Sequence, residues 1–420
     1  MGTKRGEGNV EKTDRMNTVE EDKELQTKVS SDVEDHYVDR RSQELLERYR
    51  GTRTRRQRRA EQLYEASQYR LMFEKFKKHR LATVSLFLLV FLYVVAIIPE
   101  FVAPYDKLQR FENALYAPPT RIRIADSEGN LRLPFVYKRE SELNTETFTY
   151  EFTEDTSKRY RIQLFVEGQP YELLGFIPMS HRLFGAEEGV PIFLLGSDHL
   201  GRDLFSRIIY AARVSLFVGL AGVMLSFFLG ILLGGISGYF GGAVDIVIQR
   251  IIEFLMSIPQ IPLWMGLSAA IPQEWTGVQT FFAITLILSL IGWTNLARVV
   301  RGKIISLREE DYVTAARISS ASHLPIIFRH LLPGFTSYLV VHITISIPYM
   351  ILGETTLSFL GLGITPPDVS WGSLLQRAQD VTVIANYPWL LWPCAFVMFA
   401  VILVNFVGDG LRDAADPYAS

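Results

Sequence analysis

Apolar and polar positions separate along this chain into long blocks. After about eighty charged residues, apolar runs recur near 81–98, 209–236, 246–270, 281–299, 335–360 and 388–407. Each is long enough to cross the ~30 Å hydrocarbon layer as helix, which takes roughly 20 residues. The pattern therefore predicts six transmembrane helices. Between the first two runs, residues 103–195 are polar and alternate instead. Phe148, Tyr150 and Phe152 are separated by polar residues, as are Tyr160, Ile162, Leu164 and Val166. That is the period of half-buried strands, and Asp126-Ser127-Glu128-Gly129-Asn130 has the composition of a hairpin turn. The fold class expected is an all-α polytopic membrane protein with a small β-rich insert outside the membrane.

Charge sets the orientation. The chain of 420 residues is 48% hydrophobic with a formal net charge of −2, but the charges are segregated. Arg53, Arg55, Arg56, Arg58 and Arg59, then Lys75, Lys77, Lys78 and Arg80, stand immediately before the first span. Basic residues there mark the cytoplasmic side and favour anionic lipid over nucleic acid. Arg298, Arg301, Lys303, Arg308, Arg317 and Arg329 place the 301–333 loop on the same side. Both termini are then expected inside and the 103–195 insert outside. The first apolar run begins too deep for a signal peptide. One cysteine, Cys394, gives no disulfide framework. No histidine spacing suggests a metal site, and His323 and His330 read as surface residues. Asp198-His199 lacks a nucleophile in a catalytic context, so no catalytic residue is assigned.

Several charges and glycines are nevertheless candidates. Asp203 and Arg207, four apart on a helix, are expected to pair. Arg250 is expected to pair with Asp245 or Glu253 at the cytoplasmic face. These three, with Glu354 inside the fifth run, are the pathway or structural candidates, because intramembrane charge must face protein or water. Gly230, Gly234 and Gly238 recur every four residues and predict a close helix-packing seam. Pro259 and Pro262 interrupt the third run.

The most informative polar stretch is 311–333, DYVTAARISSASHLPIIFRHLLP. Thr314-Ala315-Ala316, Ser320 and Leu332-Pro333 follow the spacing of the EAA loop of ABC importer permeases, and the stretch resembles that loop. Thr314 replaces the usual acidic residue and Ser320 the usual glycine, so the turn between its two helices is expected to be built differently. Glu309, Glu310 and Asp311 could supply carboxylates nearby. Three further stretches resemble oligopeptide and dipeptide permeases: GSDHLGRDLFSR at 196–207, ETTLSFLGLG at 354–363 with the following PPDVSWG, and GDGLRDAADP at 408–417. RYRIQLFVEGQPYELLGFIP in the insert brings the chain nearer to microcin C/oligopeptide permeases than to short dipeptide ones.

The resemblance implies the type I importer permease fold and four regions. These are a charged cytoplasmic arm (1–80), a first span (81–102), the external insert (103–195) and a permease core (196–420). It also implies partners: a second permease subunit, cytoplasmic ABC ATPases and an external solute-binding protein, within a bacterial inner membrane. Asp311, Tyr312, Thr314, Ala315, Ala316, Arg317, Ser320, Leu332 and Pro333 would form the surface that seats an ATPase. The chain has no P-loop pattern, so ATP and Mg would belong to the partners and this subunit would not be an enzyme. The function implied is uptake of peptides or peptide-like solutes by alternating access. A secondary transporter or channel would explain six spans but not the loop, and would be expected to show matched broken helices. A sensor or scaffold built on the insert would not need five further spans. The insert itself reads as a structural cap, or as a dock for the binding protein.

Overall fold

The computed structural model describes residues 68–125, 131–144, 149–272, 274–319 and 322–415. The arm before residue 68, the turn at 126–130, Phe148 and Ser320 lie outside them. Residues Met72–Ser420 form one compact unit.

Helix α1 (Gln68–Lys78) leads into α2 (Arg80–Ile97), whose first turn is capped by His79 Nδ1 accepting from Ala82 N at 3.1 Å. A short turn at Pro99–Val102 takes the chain out of the span. Four antiparallel strands follow, β1 (Arg123–Ala125), β2 (Leu131–Asn144), β3 (Thr149–Leu173) and β4 (Ile177–Ala186), ordered as in the sequence. The long β3 pairs first with β2, from Asn144↔Thr149 to Phe135↔Arg161, and then with β4, from Ile162↔Ala186 to Leu173↔Ile177. Val136, Tyr160, Ala186 and Ile192 form its small core. The predicted alternation holds through Ile162, but Leu164 is exposed, beside the left-handed backbone of Phe165 at φ +57°.

Helix α3 (Leu204–Phe240) is 37 residues long, about 55 Å at 1.5 Å per residue. It therefore extends beyond the hydrocarbon and beyond the 209–236 run read from hydropathy. Gly241, at φ +64°, ends it. The third apolar run is not one straight helix. It folds as α4 (Gly242–Ser257) and α5 (Gln260–Ser268), bent by 87°. Ile258 adopts an extended conformation (φ −92°, ψ 129°) before Pro259, as the proline ring demands of its predecessor. Pro262 is tolerated in the first turn of α5.

Helix α6 (Gly277–Leu307) starts on a reciprocal cap between Thr276 and Gln279. Helix α7 (Asp311–Ile318) lies in the loop that follows. A run from His323 leads through a π-helical segment, Ile326–Leu331, into α8 (Thr336–Phe359). The short α9 (Trp371–Leu375) and the final α10 (Trp392–Ala415) complete the bundle. Among the described residues, five helical stretches are long and apolar enough to cross a membrane, or six if the bent pair is one span.

Candidate functional site

The glycine seam sets the geometry of the inner half. A Cβ on Gly230 would lie 2.9 Å from Leu296, one on Gly234 would strike the backbone of Ala297, and one on Gly238 would lie 2.7 Å from the carbonyl oxygen of Arg301. Helices α3 and α6 thus touch backbone to backbone, which couples any shift of one to the other. The seam leads down to a charge cluster. Asp245 accepts from Arg301 Nε and Nη2 at 2.5 and 2.6 Å and from Ser237 Oγ at 2.5 Å, and Gln249 donates to that hydroxyl at 3.2 Å. Asp245 therefore does not pair with Arg250. Arg250 pairs with Glu253 at 2.7 Å on an open surface, with side chains 77% and 52% exposed. The register of α4 explains this: Asp245 faces α6, whereas Arg250 and Glu253 lie on its outer face.

The 311–333 segment packs against the same end. Val313 is fully buried and Ala316 half-buried, in a cluster with Tyr239, Val300, Ile304, Ile326, Ile327 and Leu331. Leu332 is buried there as well. The small side chain of Ala316 lets α7 lie close to the bundle. Its other face is open: Asp311, Tyr312, Thr314, Ala315 and Arg317 are exposed, as is Pro333. Ile318, at 80% exposure, and Leu324 and Phe328 add apolar side chains to this open face. Two contacts outside the sequence pattern tie the segment to α3. The Arg317 guanidinium lies 5.2 Å above the Tyr239 ring, and Tyr239 Oη is 3.1 Å from His323 Nδ1. Tyr239, at the end of an apolar run, carried no signal of its own.

Glu354 has a different place from a pathway group. It is fully buried on α8 and accepts from Ser215 Oγ at 2.8 Å and Ser358 Oγ at 2.7 Å. Ser215 Oγ also accepts from Trp371 N at 3.1 Å, and the Trp371 indole donates to Ile208 O. The glutamate joins α3, α8 and α9 as a brace. None of Glu354, Asp245, Arg250 and Glu253 lines the larger cavity between the spans. That cavity, about 340 Å³, lies among α3, α5, α6 and α8. Its polar lining comes from Ser226, Gln260, Asn295, His342 and Ser346, and Trp264 also lines it. The buried Trp264 indole N–H finds no partner among the described residues. Polar side chains within apolar runs were the signal that could have found Asn295 and His342.

At the N-terminal end of α3 the GSDHLGRD stretch is a lock. Asp198 accepts from Leu200 N, Arg202 N and Arg202 Nε at 2.9, 3.0 and 2.8 Å, and from Arg207 Nη1. Burial works to raise this carboxyl, but the Arg207 and Arg202 guanidiniums overcome it and hold it below the usual carboxylate range. Asp203 does not pair with Arg207. It caps α3, accepting from Ser206 N at 2.7 Å, so its side chain turns back to the helix start while Arg207 reaches Asp198. Burial pushes the Asp203 carboxyl up to about 7 against the opposing hydrogen bond from Ser206.

Comparison with known proteins agrees with this arrangement. Residues 230–419 match the family described as binding-protein-dependent transport system inner membrane component. Residues 67–119 match the N-terminal TM domain of oligopeptide transport permease C. The oligopeptide transport system permease protein OppC of Bacillus subtilis (strain 168) is 35% identical over 223 residues, covering 53% of this chain and 70% of that protein. The dipeptide transport system permease protein DppC of the same organism is 37% identical over 223 residues, covering 53% and 68%. A putative peptide transport system permease protein of Brucella suis biovar 1 (strain 1330) is 41% identical over 224 residues, covering 53% and 73%. With its bundle, its glycine seam and these relatives, the chain belongs to the OppC-like family of binding-protein-dependent ABC transport permeases, multi-pass inner-membrane subunits without a catalytic domain of their own.

Proposed function

We propose that this chain forms one half of the pathway of an ATP-driven importer for peptides or peptide-like solutes. Residues 311–333 seat an ATPase subunit, a second permease completes the pathway, and an external binding protein delivers the solute. ATP and Mg act on the ATPase partners. Both termini lie in the cytoplasm with the 301–333 loop, and the 103–195 insert lies outside, in accord with the basic residues flanking the spans. The oligopeptide and dipeptide relatives support the substrate class, and the length of the insert supports the microcin C/oligopeptide branch.

The observation that carries this reading is the two-sidedness of α7. Val313 and Ala316 are packed into the bundle beside Tyr239, while Tyr312 and Ile318 are exposed among the described residues. A partner that closes on that face can move α7, and through Tyr239 it moves α3 and the glycine seam. ATP drives the switch only if the ATPase makes different contacts in the two states, so this face must be the site of those differences. Rocking of α3 against α6 then opens or closes the cavity lined by Asn295 and His342. Their side chains, with Gln260, offer donors and acceptors suited to peptide amides.

The test is a crosslink. With Cys394→Ala and Ile318→Cys, native membranes treated with a thiol crosslinker should yield an ABC ATPase joined to this chain. A labelled, folded protein that captures no ATPase would overturn the assignment of this face.

A further inference from the structure

The two ends of the external sheet differ in character. At the β2–β3 end, Lys138, Arg139, Glu140 and Glu142 face Glu151, Glu154 and Asp155 across the ladder or beside it. At the β3–β4 end, Leu173 to Met179, LLGFIPM, carries no charge. Phe176 is 71% exposed there, and Leu174 and Ile177 are exposed as well. The root of this hairpin is fixed to the outer end of α2. Arg182 Nη1 donates to Ala103 O at 3.0 Å and to Glu100 O at 3.4 Å, and the Phe165 and Phe101 rings lie 6.2 Å apart. Tyr171 stacks on the Arg182 guanidinium at 5.1 Å, a pairing suited to the headgroup level.

Below that root, Phe87, Val90, Phe91, Val94 and Ile97 form an exposed apolar stripe along α2. Their spacing at 87, 90, 91, 94 and 97 puts them on one face of the helix, exposed among the described residues. The stripe continues through Phe101 to Phe165 and so to the hairpin. From Arg182 to Ile177 the strand runs about 17 Å at ~3.3 Å per residue. The turn also satisfies its own backbone, with Gly175 N donating to Glu172 O and Phe176 N to Leu173 O, both at 3.3 Å. Entry into an apolar layer therefore strands neither of these amides.

We propose that the β3–β4 hairpin is a membrane paddle, whose tip of Leu174, Phe176 and Ile177 inserts at the headgroup–acyl boundary of the outer leaflet beside α2. Its occupant is lipid, because the patch continues the exposed apolar stripe of a span and carries no charge for a polar protein surface to read. The paddle fixes the height and tilt of the insert above the bilayer. It rests on the proposed reading that α2 crosses the membrane with the 103–195 insert outside, and it is independent of any ATPase contact.

The test uses the full chain, Cys394→Ala, reconstituted in phosphatidylcholine–phosphatidylglycerol vesicles, with an environment-sensitive dye on Phe176→Cys. Lys158→Cys, an exposed position near the middle of β3 and away from the tip, is the aqueous reference. The Phe176 dye should lose most of its emission to nitroxide carried high on the lipid chain and resist iodide, and the Lys158 dye should do the opposite. Leu174→Cys repeats the measurement if the first variant fails to fold. Iodide quenching at the tip equal to that at Lys158 would overturn the proposal. Protection from iodide without nitroxide quenching would also overturn it, in favour of a protein cover.

Discussion

The two ends of α3 hold their charges in different ways. At the N-terminal end the Asp198 side chain is 5% exposed and held by two arginines and two backbone amides. At the C-terminal end the Asp245 side chain is 17% exposed and Arg301 32%, and the neighbouring 311–333 segment meets α3 through apolar packing against Ile231 and Tyr239 and through contacts of Arg317 and His323 with the Tyr239 and Phe240 rings. The N-terminal cluster is over-determined, so losing one bond leaves the others to keep the geometry. The charges at the C-terminal end are more open to water, so exchanging one of their contacts costs less. Elements that move are drawn from the sparsely held parts of a structure and frames from the densely held ones. The two ends of α3 thus differ in how firmly their charges are held.

That contrast can be broken in graded steps. Asp198→Ala strands Arg202 and Arg207 in a buried site, and removing one partner of such a group costs about 3–5 kcal/mol. Thermal unfolding of the reconstituted subunit should show the largest loss of all the variants, and Asp198→Asn a smaller one. Gly234→Val drives a side chain into the Ala297 backbone. Overpacking of that kind costs about 1–3 kcal/mol or more, and should lower transport further than stability, because it wedges α3 from α6. Asp245→Ala opens a partly exposed pair, worth about 1 kcal/mol or less. It should leave unfolding nearly unchanged and alter transport instead.

A pH scan sharpens the same difference. Burial raises the folded Asp203 carboxyl to about 7 from an ordinary aspartate value of 3.8. Between those values the folded state binds more protons than the unfolded one, so stability falls as pH rises through the window and levels off above it. Each unit within the window changes stability by up to about 1.4 kcal/mol. Asp203→Asn should flatten the slope in a thermal-shift series from pH 5 to pH 8, whereas Asp245→Asn should not.

Much of the architecture was legible in the sequence because spans and strands announce themselves by period. The 87° break at Ile258–Pro259 was legible as an interruption but not as a bend, since the angle depends on what α5 packs against. The pairing of Asp203 with Arg207 failed for a local reason: a residue at the start of a helix caps it, and the i,i+4 rule applies inside the helix. Arg207 instead reaches nine residues back to Asp198, through a loop closure that no local pattern contains. Glu354 was recognisable as costly within a span, and Ser358 four residues on is a local partner, but Ser215 comes from a helix far away in sequence. The cavity residues Gln260, Asn295 and His342 likewise meet only after four helices assemble. Tyr239 was silent for the same reason, its role being set by Arg317 and His323, which fold back onto it.

The central claim is that force enters α3 from the 311–333 segment through Tyr239. The direct measurement compares wild type with Tyr239→Ala in vesicles containing the whole transporter, scoring ATP hydrolysis and solute uptake in parallel. The account predicts that Tyr239→Ala keeps its ATPase crosslink through Ile318→Cys and still hydrolyses ATP, but loses most uptake per ATP consumed. Uptake per ATP equal to wild type, with the crosslink intact, would contradict it.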